Sequence, residues 1–511
     1  MTVVQDSVVC RFFIGIWLML SAAWDGSGIC HTLRALGRGV TSAVRGSSVC
    51  QFLWREGTLP KSWPKSVTCM LVTTIFNIPC AICRWLYGVG KRVWDGSVCF
   101  QVVSAMGGAS FLFLGLFMAV MFMAPHSIWN NLYGLFGAVA LFALFAVGSS
   151  TRPKQRIEIA GFGPYYILFM AFVCAAFLTS LSWSLSMRFV GFHLAAFLLA
   201  VLVVSSVKTY EQLETLVIAA MAGVTVAALY GCYQGVIGVE VVANQQDMVL
   251  NAGMPGRVYS FFDNPNNFGE LLVMLMPLDY ALFLNAKTLR GKLAALVSFG
   301  ICGIALAFTY FRSGWIGIVL ATVVFVALWN WKLIPVLILL GVCAIPLLPE
   351  TIYNRILTIG NTSDSSLNYR FAIYEASGVL MKDYWWRGVG LGSDILTQTF
   401  KNYPTMFDGN YPIHTHNNYL QVWAEMGILG ITAFLGAILY QLKTGLKAYT
   451  ISKDRRVKNM LAAALAGFCG ILVISVAEYT WFYARNMFVY FFLFGIIGAC
   501  VKLARKSARS R

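Results

Sequence analysis

The chain is 511 residues long, 59% hydrophobic and only 12% charged, with a mean hydropathy of +0.71. A soluble domain carries about 25% charged residues, so this composition leaves too little polar surface to coat a fold in water. The formal charge of +17 falls in short clusters between apolar runs, the positive-inside pattern of membrane proteins and not a nucleic-acid footprint.

The first hundred residues form a section of their own. Phe12–Ala23 is apolar but short for a span, and no small-residue cleavage pattern marks a signal peptide. Arg34, Arg38, Arg45, Arg55, Lys61 and Lys65 are mixed with Trp24, Trp54 and Trp63, a combination suited to the headgroup layer. One re-entrant hairpin is expected near 66–83. Trp24-Asp25-Gly26-Ser27 recurs as Trp94-Asp95-Gly96-Ser97, a duplicated element or a coincidence. We read 1–100 as a membrane-surface extension without chemistry and 101–511 as a transmembrane catalytic domain.

From Val102 onward the apolar runs predict an all-α polytopic membrane protein with about 12 transmembrane helices. They lie near 103–123, 129–148, 163–182, 189–207, 213–236, 267–285, 292–310, 312–330, 332–349, 418–441, 460–479 and 486–504, each long enough to cross about 30 Å of hydrocarbon. One set of alternate loops is basic: Arg152 to Arg156, Lys287 to Lys292, Lys443 to Lys458, and the tail from Lys502. That set is expected in the cytoplasm. The other set, 237–266, 310–312, the long loop 350–417 with its short helices, and 480–486, is then expected on the periplasmic or extracellular face of the cell membrane. Of the 13 cysteines, none falls in the long polar loops, so free thiols are expected. Cys80 and Cys83 have no second pair or nearby His to make a metal site.

Twelve spans suit a transporter as well as an enzyme. A transporter concentrates polar residues near the membrane midplane, whereas here the spans carry few ionisable groups. His193, Glu270 and Glu478 are exceptions near span ends, where solvated terminal residues are expected. The polar weight of the outer loops favours an enzyme at the membrane surface; a lipid or solute transporter is the alternative.

His414-Thr415-His416-Asn417-Asn418-Tyr419-Leu420 closes the long loop and opens the next span. Asn418 is placed to cap that helix, with Gln421 in capping-box position. His416 then sits before a helix N-terminus, whose positive dipole end disfavours imidazolium and leaves a neutral base. The bland alternative makes both histidines interface residues, and His414, beside Pro412, is the weaker candidate. Arg257, Arg312 and Arg370 lie on the side where the positive-inside rule disfavours them. Forked guanidinium groups fit phosphate oxygens, although each by itself also fits snorkelling to lipid. Asp263-Asn264-Pro265-Asn266-Asn267 reads as a capped turn into a span. Gly388-Val389-Gly390-Leu391-Gly392 follows a helix, not a strand, and so is no nucleotide fingerprint.

Over roughly residues 250–440 these motifs resemble the O-antigen ligase and O-antigen polymerase superfamily of bacterial membrane glycosyltransferases. The resemblance rests on Asn264-Pro265-Asn266-Asn267, Arg312-Ser313-Gly314-Trp315, Arg370, Gly388 to Gly392, and His416 to Leu420 followed by Glu425-Met426-Gly427-Ile428-Leu429-Gly430. Trp385-Trp386-Arg387 departs from it, standing where a proline-containing turn is common. The resemblance implies glycan transfer from a polyprenyl-diphosphate-linked oligosaccharide to a glycan or lipid hydroxyl acceptor, with no metal or other cofactor. It implies His416 as base, Arg312 and Arg370 as diphosphate ligands, and Arg257 and Asn267 as further donor contacts. Ligase and polymerase are left undivided.

Overall fold

The computed structural model describes residues 8–48, 51, 55, 57–242, 253–360, 365–406 and 409–509. Small parts of the 1–100, 237–266 and 350–417 segments, Trp54 and the last two residues therefore lie outside the described residues. The chain divides into two units, Met1–Ser62 and Trp63–Arg511.

Helices Val8–Asp25 and Gly28–Gly46 make up most of the first unit. Ser27 turns the corner between them: its hydroxyl accepts from Cys30 N at 3.1 Å and donates to Trp24 O at 2.8 Å. The recurrence of Trp-Asp-Gly-Ser has the same local cause in the second unit. There Ser97 N donates to Trp94 O, and the Ser97 hydroxyl caps Phe100 N. A serine three residues after a tryptophan thus caps the next helix in both places.

Where a hairpin was expected near 66–83, the second unit has one 23-residue helix, Val67–Val89, with Pro79 inside it. It is long and apolar enough to cross a membrane. Its middle is tied to the connection after the Asn131–Gly148 helix, through Asn77 Nδ2 to Ile157 O at 3.0 Å and Arg84 Nη1 to Pro153 O at 3.1 Å.

Among the described residues eleven helices are long and apolar enough to span. A twelfth crossing results when Val98–Gly108 and Ser110–Met123, bent by 78°, are taken as one. The apolar run Arg312–Leu347 has 36 residues, about 54 Å if straight, yet Leu348 packs beside Tyr310 and Trp315. Tyr310 Oη also lies 3.0 Å from Thr351 Oγ1. The chain that leaves along Arg312–Asn330 has therefore returned by residue 348, so this run, one of the eleven, folds back on itself where two spans were predicted.

The helices pack through small residues, since lipid supplies no hydrophobic drive between spans. A Cβ on Gly223 would lie 2.4 Å from Ala119 Cα, and one on Gly115 2.6 Å from Leu216 O, which joins Ser110–Met123 to Tyr210–Ile237. The last helix, Ala484–Arg509, is buried along most of its length, with Phe494 stacked on Tyr166 at 4.8 Å. The basic connections meet at one end of the bundle: Arg152 donates to Ser104 O, Lys502 pairs with Glu158 and Arg456 with Glu211. Segments 257–266, 310–312, 351–358 and 475–478 meet at the other, here termed the loop end. His193 and Glu270, expected as solvated span ends, are 1% and 2% exposed. Gly392 lies against Phe189 one turn from His193, and Asn486 of the last helix donates to Glu270 at 2.6 Å. The eleven described cysteines are free thiols.

Candidate functional site

Helix Asn418–Ile451 is 34 residues long, about 51 Å, and it breaks at Gly427, where φ is 69°. The break frees the carbonyls of Ala424 and Glu425, which accept Val389 N at 2.9 Å and Gly390 N at 3.1 Å. Gly388, Gly390 and Gly392 all have positive φ. A Cβ on Gly388 would lie 2.3 Å from Glu425 O, and one on Gly427 2.2 Å from Trp386 O. The glycine run is thus a strap seated on a helix break. It fixes the short helical piece before Gly427 and, through it, the residues at its N-terminus.

Asn417, not Asn418, caps that piece: its Oδ1 accepts from Tyr419 N and Leu420 N, both at 3.0 Å. Asn418 is the first residue inside the helix, with its N–H bonded to Ser475 O at 2.8 Å. Gln421 instead accepts Thr415 N at 2.9 Å and donates to Glu425 at 2.7 Å. His416 has φ +47°, a left-handed conformation costing an L-residue about 1–2 kcal/mol. Its N–H donates to His414 Nδ1 at 3.2 Å, and its carbonyl accepts from Tyr374 Oη at 3.2 Å. Strain held in this way is characteristic of functional positions. His414, against Phe482 and Tyr479, is pushed down to about 3, first by burial and then by His416 and Arg370. It is a neutral acceptor that holds the His416 backbone.

Glu478 joins the separate motifs. Its Oε1 accepts from Arg370 Nη2 at 2.5 Å and from Asn266 Nδ2 at 3.3 Å, and its Oε2 lies 3.4 Å from His416 Nδ1. Far from being a solvated span end, its side chain is 6% exposed, against 15% for Arg370 and 27% for His416. Burial works to raise the carboxyl, but Arg370 and His416 outweigh it and hold Glu478 at about 2. The carboxylate is therefore charged throughout the physiological range.

Around it stand four arginines. Arg370, on helix Ser365–Tyr384, also donates Nη1 to Ser366 Oγ at 3.0 Å, while its buried Nε bonds nothing within the described residues. Arg257 donates Nη2 to Asn266 Oδ1 at 2.5 Å and Nε to Thr309 O at 2.8 Å. Arg312, at the start of its helix, donates to Thr358 O at 2.9 Å and Thr358 Oγ1 at 3.1 Å. Arg355 reaches Tyr310 O at 3.4 Å. Burial, followed by the charges of Arg355, Arg312 and Arg370, pushes Arg257 down to about 9. Arg257 and Arg355 hold the neighbouring carbonyls of Thr309 and Tyr310, just before Arg312, and Asn266 links Arg257 to the Glu478 carboxylate that Arg370 faces, so the four form one cationic cluster.

The structure thus brings His416, Arg370, Arg312 and Arg257 to one place. Asn267 stands beside it, donating to Asp263 at 2.9 Å; its neighbour Asn266 makes the bridge from Arg257 to Glu478. Arg355 is a member not expected from the sequence, and Glu478 was expected only as a solvated span end. The criterion applied to the other arginines, a cation on the side that disfavours it, would also have found Arg355. Among the described residues, no group of three or more His, Cys, Asp or Glu side chains is arranged to hold a metal ion.

Fold and site together define a polytopic all-α membrane protein with an imidazole–carboxylate–arginine cluster at its loop end. Residues 297–435 match the family model described as O-antigen ligase. Over that stretch the chain is similar to an O-antigen ligase domain, and the match supports that superfamily. The match supports O-antigen ligase-like glycan transfer in general terms. It includes Arg312, Arg355, Arg370 and His416; Arg257, Asn266 and Glu478 lie outside it. No match is found among curated proteins.

Proposed function

We propose that the chain transfers a glycan from a polyprenyl-diphosphate donor to a hydroxyl acceptor at the loop end of the bundle, on the non-cytoplasmic face of the membrane. The observation that carries this is Glu478 bridging His416 and Arg370 beside Arg257, Arg312 and Arg355. A carboxylate on Nδ1 leaves Nε2 of His416 as the basic nitrogen, the arrangement by which an imidazole is oriented to take a proton. The acceptor oxygen attacks the anomeric carbon of the donor sugar and gives its proton to His416 Nε2. The bond from that carbon to the diphosphate oxygen breaks, and the diphosphate leaves with the bonding electrons. Arg312 and Arg370 face that developing charge in a site of low dielectric, where fixed cations act most strongly; Arg257, Arg355 and Asn266 hold the set in place. The outward face is supported by the basic connections gathering at the opposite end.

The test is transfer by the purified chain in lipid, with a polyprenyl-diphosphate oligosaccharide and a hydroxyl acceptor. A positioned base contributes about 10²–10⁴-fold, so His416→Ala is expected to reduce product to background while the protein remains folded in the membrane. Transfer is expected to continue in EDTA, since the donor is already activated. Near-normal turnover by His416→Ala would overturn the assignment.

A further inference from the structure

At the end of the bundle opposite the site lies a cavity of about 390 Å³ that the proposed reaction does not use. Lys502, Arg505, Lys506 and Arg509, on the last turns of the final helix, line it together with one carboxylate, Glu158. Lys502 is its fixed point: the ammonium donates to Val204 O, at the end of helix Trp183–Ser206, and lies 3.3 Å from Glu158. Lys506 leans on Lys208 O at 3.4 Å. Arg505 and Arg509 are exposed at the rim.

The inner wall has a different character. Val204 and Val501 are apolar, and Gly161 and Gly498 make the room. A Cβ on Gly161 would meet nothing within 4 Å, whereas one on Gly498 would lie 2.8 Å from Val204. The cavity therefore has an apolar floor, a cationic rim of four against one, and the volume of a small-ligand site. Basic pockets between spanning helices on the positive side of a membrane protein suit phosphate-bearing headgroups.

We propose that this cavity binds the phosphate of a glycerophosphate anion, with Lys502, Arg505 and Lys506 on the phosphate oxygens. The same chemistry is offered by an anionic phospholipid headgroup and by a soluble glycerophosphate. The two are distinguished by a binding experiment on the full chain, purified in detergent and stripped of lipid. Retention of phosphatidylglycerol, phosphatidylcholine and glycerol 3-phosphate is measured by native mass spectrometry and by the shift in unfolding temperature.

Phosphatidylglycerol is expected to bind one per chain and phosphatidylcholine much more weakly. Each Lys or Arg near an anionic headgroup contributes about fivefold, so Arg505→Gln with Lys506→Gln is expected to weaken binding about 25-fold. Gly161→Leu fills the cavity without changing charge and is expected to abolish binding, with Gly161→Ala as its folded control. Lys287→Gln with Arg290→Gln removes equal charge from the same end outside the cavity and is expected to leave binding intact. Displacement of the lipid by millimolar glycerol 3-phosphate would support the proposal with a soluble ligand; failure to displace supports it with a lipid. Equal retention of phosphatidylcholine, wild-type binding by Gly161→Leu, or equal loss in the Lys287/Arg290 pair would overturn it. None of these measurements depends on glycan transfer.

Discussion

Replacing Glu478 by glutamine tests the proposed site at its centre. The amide keeps the shape of the side chain and its contact with Asn266, and removes the charge that faces both Arg370 and His416. Unit charges about 4 Å apart interact by about 4 kcal/mol at an effective dielectric of 20. Breaking a buried pair from one side costs about 3–5 kcal/mol, because the other charge remains buried. The bundle is expected to stay folded at a lower unfolding temperature. The wild-type contribution has a defined pH sign. A carboxyl ordinarily near 4.5 and held at about 2 in the fold stabilises fully above 4.5 and loses that contribution as pH falls toward 2. Glu478→Gln should remove this part of the acid limb of unfolding temperature against pH. In the transfer assay the imidazole loses its orienting partner, so kcat is expected to fall by about 10²–10⁴. Arg370, released from the carboxylate, becomes more available to diphosphate, so KM for the donor is expected to hold or fall. Turnover within threefold of wild type, or a rise in donor KM at unchanged kcat, would refute the role given to Glu478.

Lysine is expected not to rescue Arg312 or Arg370, since a point charge cannot reproduce the two-pronged contact with phosphate oxygens; full transfer by either lysine variant would point to charge neutralisation alone. His414→Ala should cost much less than His416→Ala, because it removes one backbone hydrogen bond worth about 1 kcal/mol, or about fivefold in rate. Gly427→Ala meets Trp386 O at 2.2 Å with φ at 69°, so loss of the strap, a lower unfolding temperature and loss of transfer are expected together; an unchanged unfolding temperature would contradict the strap. For sidedness, single cysteines at Asn410 and at Lys287 in a variant without native cysteines should react oppositely with impermeant maleimide in intact cells, Asn410 labelling and Lys287 not.

Much of the fold was legible along the chain because each spanning helix satisfies its own backbone, leaving length and apolarity to mark it. The two passes inside Arg312–Leu347 were separated on that basis, and the basic connections do gather at one end. The Val67–Val89 helix was not legible: a re-entrant hairpin was expected near 66–83, whereas Pro79 is accommodated inside a continuous helix. In the site, Arg370, Arg312 and Arg257 stood out because a cation on that side of the chain is disfavoured, and His416 because it precedes a helix N-terminus.

Their partners were not visible in the same way. Glu478 is 62 residues from His416, 108 from Arg370 and 212 from Asn266, and a lone glutamate at a span end has the same local sequence whether water or an arginine faces it. Only the packing of the helix ends decides which. The glycine run likewise had spacing but no explanation until the break at Gly427 supplied the carbonyls it pairs with. Sequence by itself determined the apolar runs from residue 102 onward and which charges stand apart, because those follow from local composition. Tertiary structure decided which charges meet, because a buried ion pair depends on distance through space and on exclusion of water, and neither is a property of any one segment.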